Sequence, residues 1–241
     1  MAPWIYLLIT SLSQSVRKGM FLLNFEIIKN GLPLLFQGAT VTLSIVLISL
    51  ILGTLLGFII CLMRISDNKI LSSISFLYTW IFRGIPLLIL LFIFYYATPF
   101  DIRLSSINAA IIALTINNAA YSAEYIRSGM LAVKKGQIEA AEAIGMTPVQ
   151  IMMRIRIPQT IRIIIPPYIS NATSFLKQSA QVSVITVPDL MMNATSLFST
   201  TYTVWETLGV AAVFYLLMTS LLMIFQSWVE KKLDIVKVNG A

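Results

Sequence analysis

The chain has 241 residues, of which 58% are apolar and only 11% charged, with a net charge of +7 and no histidine. Soluble domains carry about 25% charged residues, so this sequence cannot cover a water-facing surface and lipid must be part of its solvent. With a single cysteine, Cys61, and no histidine, the sequence holds no cysteine metal cluster, no intrachain disulfide and none of the usual acid-base equipment of a membrane enzyme.

Residues 1–38 are expected to form an external or interfacial segment. Its apolar run at residues 4–9 is short, and Arg17 and Lys18 follow that run instead of preceding it, the reverse of a cleaved signal peptide. An interfacial anchor helix fits this pattern better than a sixth span. A membrane domain is expected over 39–229. No charged residue occurs between Lys29 and Arg64, and residues 39–63 are long enough to cross a hydrocarbon core of about 30 Å with some tilt. Within that first span Gly53 and Gly57 have the G-x-x-x-G spacing that permits close helix approach. Further charge-free windows predict spans near 72–98, 105–126 and 207–229, and a more polar one at 163–187. Residues 230–241 remain as a basic tail.

The fold class is therefore an all-α membrane protein of about five transmembrane helices, with its two ends on opposite sides. Placing the carboxyl end inside puts eleven basic residues in the cytoplasm, from Arg64 and Lys69 to Lys237, and leaves only Arg17, Lys18, Lys29 and Arg103 outside. The positive-inside rule thus sets the amino end outside.

Between the third and fourth spans lies a polar, alanine-rich segment, about 134–160, which this orientation makes cytoplasmic. Ala140, Ala141 and Ala143 favour a helix, and Gly145 suits the left-handed residue that follows a helix end. Thr147, Pro148 and Gln150 then form the N-cap, first-turn proline and third-position amide of a capping box, so a second helix starts at once. A short alanine-faced rod with exposed glutamates can seat in a cleft of a partner protein and pass its movement to the spans.

The fourth span is the candidate translocation path, because nine of the fourteen residues from Ser170 to Ser183 are polar. Among Asn171, Ser174, Lys177 and Gln178, Lys177 is the sharpest: a charge near a helix centre costs about 2.5 to 3.5 kcal/mol on insertion scales. It either meets a substrate carboxylate or an acidic group of a neighbouring subunit, or makes a structural ion pair, with Glu124 as one partner. Glu124 and Arg127 are spaced as an ordinary i, i+3 helix pair.

Glu139-Ala140-Ala141, then Gly145, Ile155, Ile157 and Pro158 at their spacing, resemble the EAA loop of bacterial ABC importer permeases. Phe82 to Leu88 (FRGIPLL), Asn117 to Glu124 and Val187-Pro188-Asp189-Leu190 extend the resemblance to the polar amino acid branch of that family. It implies a type I permease fold in a bacterial cytoplasmic (inner) membrane. The chain would be half of a dimeric pore, paired with a second copy or a related permease. Its Glu139, Ala140, Ala141, Glu142 and Gly145 would couple to a dimer of ATP-binding subunits, and an extracytoplasmic binding protein would deliver substrate. Arg83, Gly84 and Pro86 would make a structural turn, although Arg83 also stands open to a substrate role. The chain carries no phosphate-binding G-x-x-x-x-G-K-[ST] loop, so no cofactor is expected on it and ATP would be bound by the partner. Where the family commonly has an acidic residue after the lysine of span four, this chain has Gln178. An ion-driven secondary transporter and a structural assembly subunit are the competing readings; the first usually shows internal repeats, and the second leaves the polar span unexplained.

Overall fold

The computed structural model describes residues 23–97 and 103–232, and every described element is helical. The apolar run at 4–9, the Arg17-Lys18 pair and Lys237 lie outside the described residues. Helix α1 (Phe25–Arg64) is capped by Asn24, whose side chain accepts from the backbone N–H groups of Glu26 and Ile27. Forty residues at about 1.5 Å each make roughly 60 Å, twice the thickness of a hydrocarbon core. The boundary placed between residues 38 and 39 therefore falls inside one continuous helix. Nothing in the backbone marks the edge of the lipid, because a helix needs no change of residue type to continue into water.

Helices α2 (Lys69–Gly84) and α3 (Leu87–Tyr96) meet at a bend of 100°. The turn before α2 is locked by a reciprocal pair, Arg64 donating to the Ser72 carbonyl and Ser72 Oγ to the Arg64 carbonyl. Helix α4 (Ser106–Ala132) runs through the centre, with α1, α2, α3 and α7 against it. Its alanines 109, 110, 113, 119, 120 and 123 are all buried, which lets its neighbours come close. Gly53 and Gly57 of α1 sit on this face: a Cβ on Gly57 would lie 2.7 Å from Ser122 Cβ and 2.8 Å from the Ala119 carbonyl oxygen. Their G-x-x-x-G spacing is thus used for backbone contact.

After α4 come the short helices α5 (Lys135–Ala143) and α6 (Pro148–Ile151), a π-helical turn (Met152–Arg156) and α7 (Ile157–Gln178). The π turn directly precedes Pro158, whose missing N–H would otherwise bond a carbonyl in that turn. The span expected at 163–187 changes character part-way. The α-helix ends at Gln178, a 3₁₀ segment (Ser179–Ile185) follows, and Thr186 turns the chain with a positive φ of 62°. Helix α8 (Leu190–Thr201) then lies beside the outer part of α1, and a π turn (Trp205–Gly209) leads into α9 (Val210–Lys232).

The sequence pattern does not reveal α8. It is short and polar, and its start is marked only by Asp189, whose Oδ1 accepts from Met192 N. It is held by contacts to α1: Leu190 N donates to Thr42 Oγ1 at 3.1 Å and Asn193 Nδ2 to the Leu34 carbonyl at 2.9 Å. Gly38 leaves room for the Asp189 and Leu190 backbone, and Gly31 for Leu197. The main core, around Leu35, Val46, Leu91, Leu114, Leu176 and Ile185, fills the space among α1, α3, α4, the 3₁₀ segment and α8. Outward, Leu47, Leu55, Leu216 and Ile224 are exposed, as expected of side chains that face lipid.

Among the described residues, α1 and the unit Trp205–Lys232 are long and apolar enough to cross a membrane, and α2 with α3 passes the same test only if the bent pair is counted as one span. Helix α4 tolerates its polar residues because protein surrounds it, whereas most of α7 is exposed or half-exposed. Asn24 N donates to Glu206 at 3.0 Å, so α1 and α9 leave from the same end of the bundle. At the other end Cys61 touches Met130, and Gly129 of α4 packs on Thr160 and Ile164 of α7. Arg64, Arg127, Lys134, Lys135, Arg154, Arg156, Lys231 and Lys232 consequently gather at one end.

Candidate functional site

Three groups of residues make up the candidate site. The first is the helix-turn-helix at 134–160. Helix α5 closes with Met146 N bonded to the Ala141 carbonyl at 3.0 Å and Gly145 N to the Glu142 carbonyl at 2.9 Å. These two bonds are the Schellman arrangement, which needs a left-handed residue, and Gly145 supplies it at φ 81°. Thr147 follows as N-cap. Its hydroxyl accepts from Gln150 N and the Gln150 side chain accepts from Thr147 N, the reciprocal capping box that the spacing predicts. Between the two helices there is no slack residue, so α5 is fixed relative to α6 and α7.

Within this unit the residues divide by face. Ala141 is buried, beside Met146 and Ile155, while Gln159 Nε2 donates to Gln137 Oε1 at 2.7 Å across the seam. Glu139, Ala140, Glu142 and Gly145 are exposed. So are Ile144, at 79%, and Val149, at 71%, large apolar side chains in an otherwise polar segment. The expected coupling set thus splits: Ala141 holds α5 onto the start of α7, and Glu139, Ala140 and Glu142 stand on the free surface with Ile144.

The second group is the break between α2 and α3. Pro86 has no N–H to offer the Phe82 carbonyl four residues back, and it forces Ile85 into an extended conformation (φ −88°, ψ 129°). The orphaned carbonyl accepts instead from Asn117 Nδ2 of α4 at 3.0 Å. Asn117 carries no assigned task in the sequence reading, and its partner thirty-five residues away leaves no signal in its own helix. Gly84 stands in open space and Arg83 lies over the Tyr121 ring, 5.4 Å from its centroid.

The third group is the polar stretch of α7. Lys177 and Gln178 are exposed and Asn171 and Ser174 are half-buried. Lys177 has no ion pair among the described residues. Its suggested partner Glu124 is taken by Arg127, whose Nε and Nη2 both reach Glu124 Oε2, at 2.9 and 2.8 Å. The helix pair thus forms, and the Lys177–Glu124 pair does not. Ser179 and Ser183 return their hydroxyl hydrogens to the carbonyls of Leu176 and Ala180, so part of the polarity of this stretch serves its own 3₁₀ backbone.

Residues 49–235 match the family model described as binding-protein-dependent transport system inner membrane component. The chain is 35% identical to the arginine transport system permease protein ArtQ of Bacillus subtilis (strain 168), over 88% of this chain and 97% of that one. It is 36% identical to the probable glutamine ABC transporter permease protein GlnM of the same organism, over 88% of this chain and 99% of that one. Its fold superposes on the crystal structure of an amino acid ABC transporter with histidines with a TM-score of 0.81 and 34% identity, covering 88% of this chain and all of that one. A methionine ABC transporter, MetNI, in an inward-facing conformation shares the fold at a TM-score of 0.73 and 20% identity, covering 84% of this chain and 97% of that one.

Proposed function

The chain belongs to the binding-protein-dependent transport system inner membrane components, and from that premise we propose that it forms half of a pore importing polar amino acids. It is the permease subunit of an ABC importer, and in this family the permease is not itself an enzyme. The family works with an ATP-binding subunit and a binding protein. The finer assignments are our reading: five crossings, amino end outside, a multi-pass position in the bacterial inner membrane, and a pore shared with a second copy or a related permease.

The observation that supports the coupling role is the construction of the 134–160 segment. It carries exposed Glu139, Ala140, Glu142 and Ile144 on a helix clamped to the start of α7 by Gly145 and the capping box. A push on α5 is therefore delivered to α7, which holds Asn171, Ser174, Lys177 and Gln178 along the proposed path. ATP binding closes the partner dimer, draws the two α5 helices together and turns the spans as rigid bodies between inward-open and outward-open states. The break at Gly84 to Pro86 shapes the path from the other side. ATP stays on the partner throughout.

The deciding experiment is co-purification of the tagged chain from its native membrane in gentle detergent, with mass spectrometry of what stays bound and uptake of amino acids by the reconstituted complex. An ATPase with a phosphate loop, together with ATP-dependent amino acid uptake, is the expected result. Uptake that persists without ATP, or a preparation without ATPase, overturns it.

A further inference from the structure

A cavity of about 460 Å³ opens between α2 and α4, away from the polar stretch of α7. Its walls hold three arginines, Arg64, Arg83 and Arg127, one carboxylate, Glu124, and the rings of Phe76, Trp80 and Tyr121. Of the four charged groups only two neutralise each other. Arg127 is bound to Glu124 Oε2, leaving Glu124 Oε1 without a hydrogen bond among the described residues. Arg64 is held over the Phe76 ring at 4.6 Å and gives Nη1 to the Ser72 carbonyl. Arg83 is steadied by the Tyr121 ring and meets no carboxylate among the described residues. Its planar fork of donors is the shape that recognises a carboxylate in two bonds.

We propose that this cavity is an oxyanion station for the transported amino acid, with Arg83 taking the α-carboxylate, Glu124 Oε1 facing the ammonium and Trp80, the lining ring that neither Arg64 nor Arg83 covers, receiving the side chain. The proposal rests on the amino acid reading above. An arginine fork could equally hold the phosphate of an anionic lipid, and the mixed charge of the walls argues against that source. A zwitterion fits both signs of charge in the walls, Arg83 and the free oxygen of Glu124, and a lipid phosphate uses only one.

The test uses the whole complex, permease with its ATPase, in nanodiscs of either zwitterionic or anionic lipid. Arginines are labelled with phenylglyoxal and the extent at each is read by mass spectrometry, with exposed Arg162 as internal standard. The probes are a pool of the twenty common amino acids and the matching pool of their α-amides, which keep the ammonium and side chain and lack the carboxylate. With the bound amino acid at ten times its Kd, about one site in eleven stays free, so labelling of Arg83 should fall roughly tenfold. The amide pool should leave it unchanged in both lipids. Failure of the acid pool to protect Arg83, or protection that follows the anionic lipid, overturns the proposal. In parallel, ATPase stimulation by binding protein with the same acid pool is recorded. Stimulation without protection sinks the cavity alone, and absence of stimulation sinks the amino acid reading and the cavity with it.

Discussion

Replacing Asn117 with alanine should damage this protein only as long as Pro86 is present. In the native chain Asn117 Nδ2 is the donor to the Phe82 carbonyl, at a site where Asn117 is only 4% exposed. Loss of that donor leaves a buried carbonyl unpaired, which costs about 1 to 3 kcal/mol. For a chain of this size each kcal/mol moves the melting temperature by roughly 2 to 4 °C. Pro86→Ala returns an N–H four residues after Phe82 and removes the proline that holds Ile85 extended, so the backbone can take over the bond. The small void left by the asparagine side chain is common to both backgrounds and cancels in a double-mutant cycle. We therefore expect a coupling of about 1 to 2 kcal/mol, with N117A clearly less harmful beside P86A. The assay is thermal unfolding of the four purified complexes in one detergent, followed by size-exclusion chromatography. An equal loss from N117A in both backgrounds would refute the view that the asparagine stands in for the proline's missing donor. P86A should also reduce uptake in proteoliposomes, because a straightened α2–α3 no longer bends into the path.

Gly57→Ala should destabilise by a net 1 to 2 kcal/mol or so, since its Cβ meets backbone of α4, and overpacking outweighs the gain of about 1 kcal/mol in helix propensity. Gly129→Ala should destabilise at least as much, because its Cβ would run into Ile164 Cγ2, a branch methyl fixed at χ1, and lie 3.0 Å from Thr160 Cγ2; an unchanged melting temperature would contradict this. Gly145→Ala strains a left-handed residue by about 1 to 2 kcal/mol and, like Ala141→Leu beneath it, should leave complex assembly intact while ATPase activity ceases to respond to binding protein. Normal uptake by either variant would remove the coupling assignment. Glu139→Lys with Glu142→Lys should weaken retention of the ATPase subunit on gel filtration; unchanged retention would show that these exposed carboxylates face water alone. Lys177→Met removes an exposed cation from the last turn of α7, not from its centre. It should leave the amount of protein in the membrane unchanged and lower uptake per molecule, and full specific uptake would take Lys177 off the path.

Features that depend on neighbours in the chain could be read from the sequence. The Gly145 stop and the Thr147–Gln150 capping box are set by residues a few positions apart, and both stand as their spacing requires. The interruption at Gly84 to Pro86 follows from proline chemistry in the same way. Features that depend on distant partners were hidden. Asn117 serves a carbonyl thirty-five residues away, and nothing in its own helix indicates that. Helix α8 escaped because Asn193 satisfies a carbonyl of α1 and its threonines and Ser199 satisfy their own helix, so its pattern resembles a loop. The 3₁₀ ending of the fourth span looked like a continuing helix, since its serines are equally at home bonding their own backbone. Lys177 was paired with Glu124 on charge alone, whereas Arg127, one helical turn from Glu124, was always the nearer cation.

The seat of α8 on α1 also dictates an order of events during synthesis. Thr42 and its partner Leu190 are 148 residues apart, so at about 5 to 20 residues per second the first helix waits roughly 7 to 30 s for its cover. During that interval the notches at Gly31 and Gly38 face the bilayer or the insertion machinery unfilled. A chain that stops short of Leu197 never closes them, and quality-control proteases would meet every such product with its earliest helix still open.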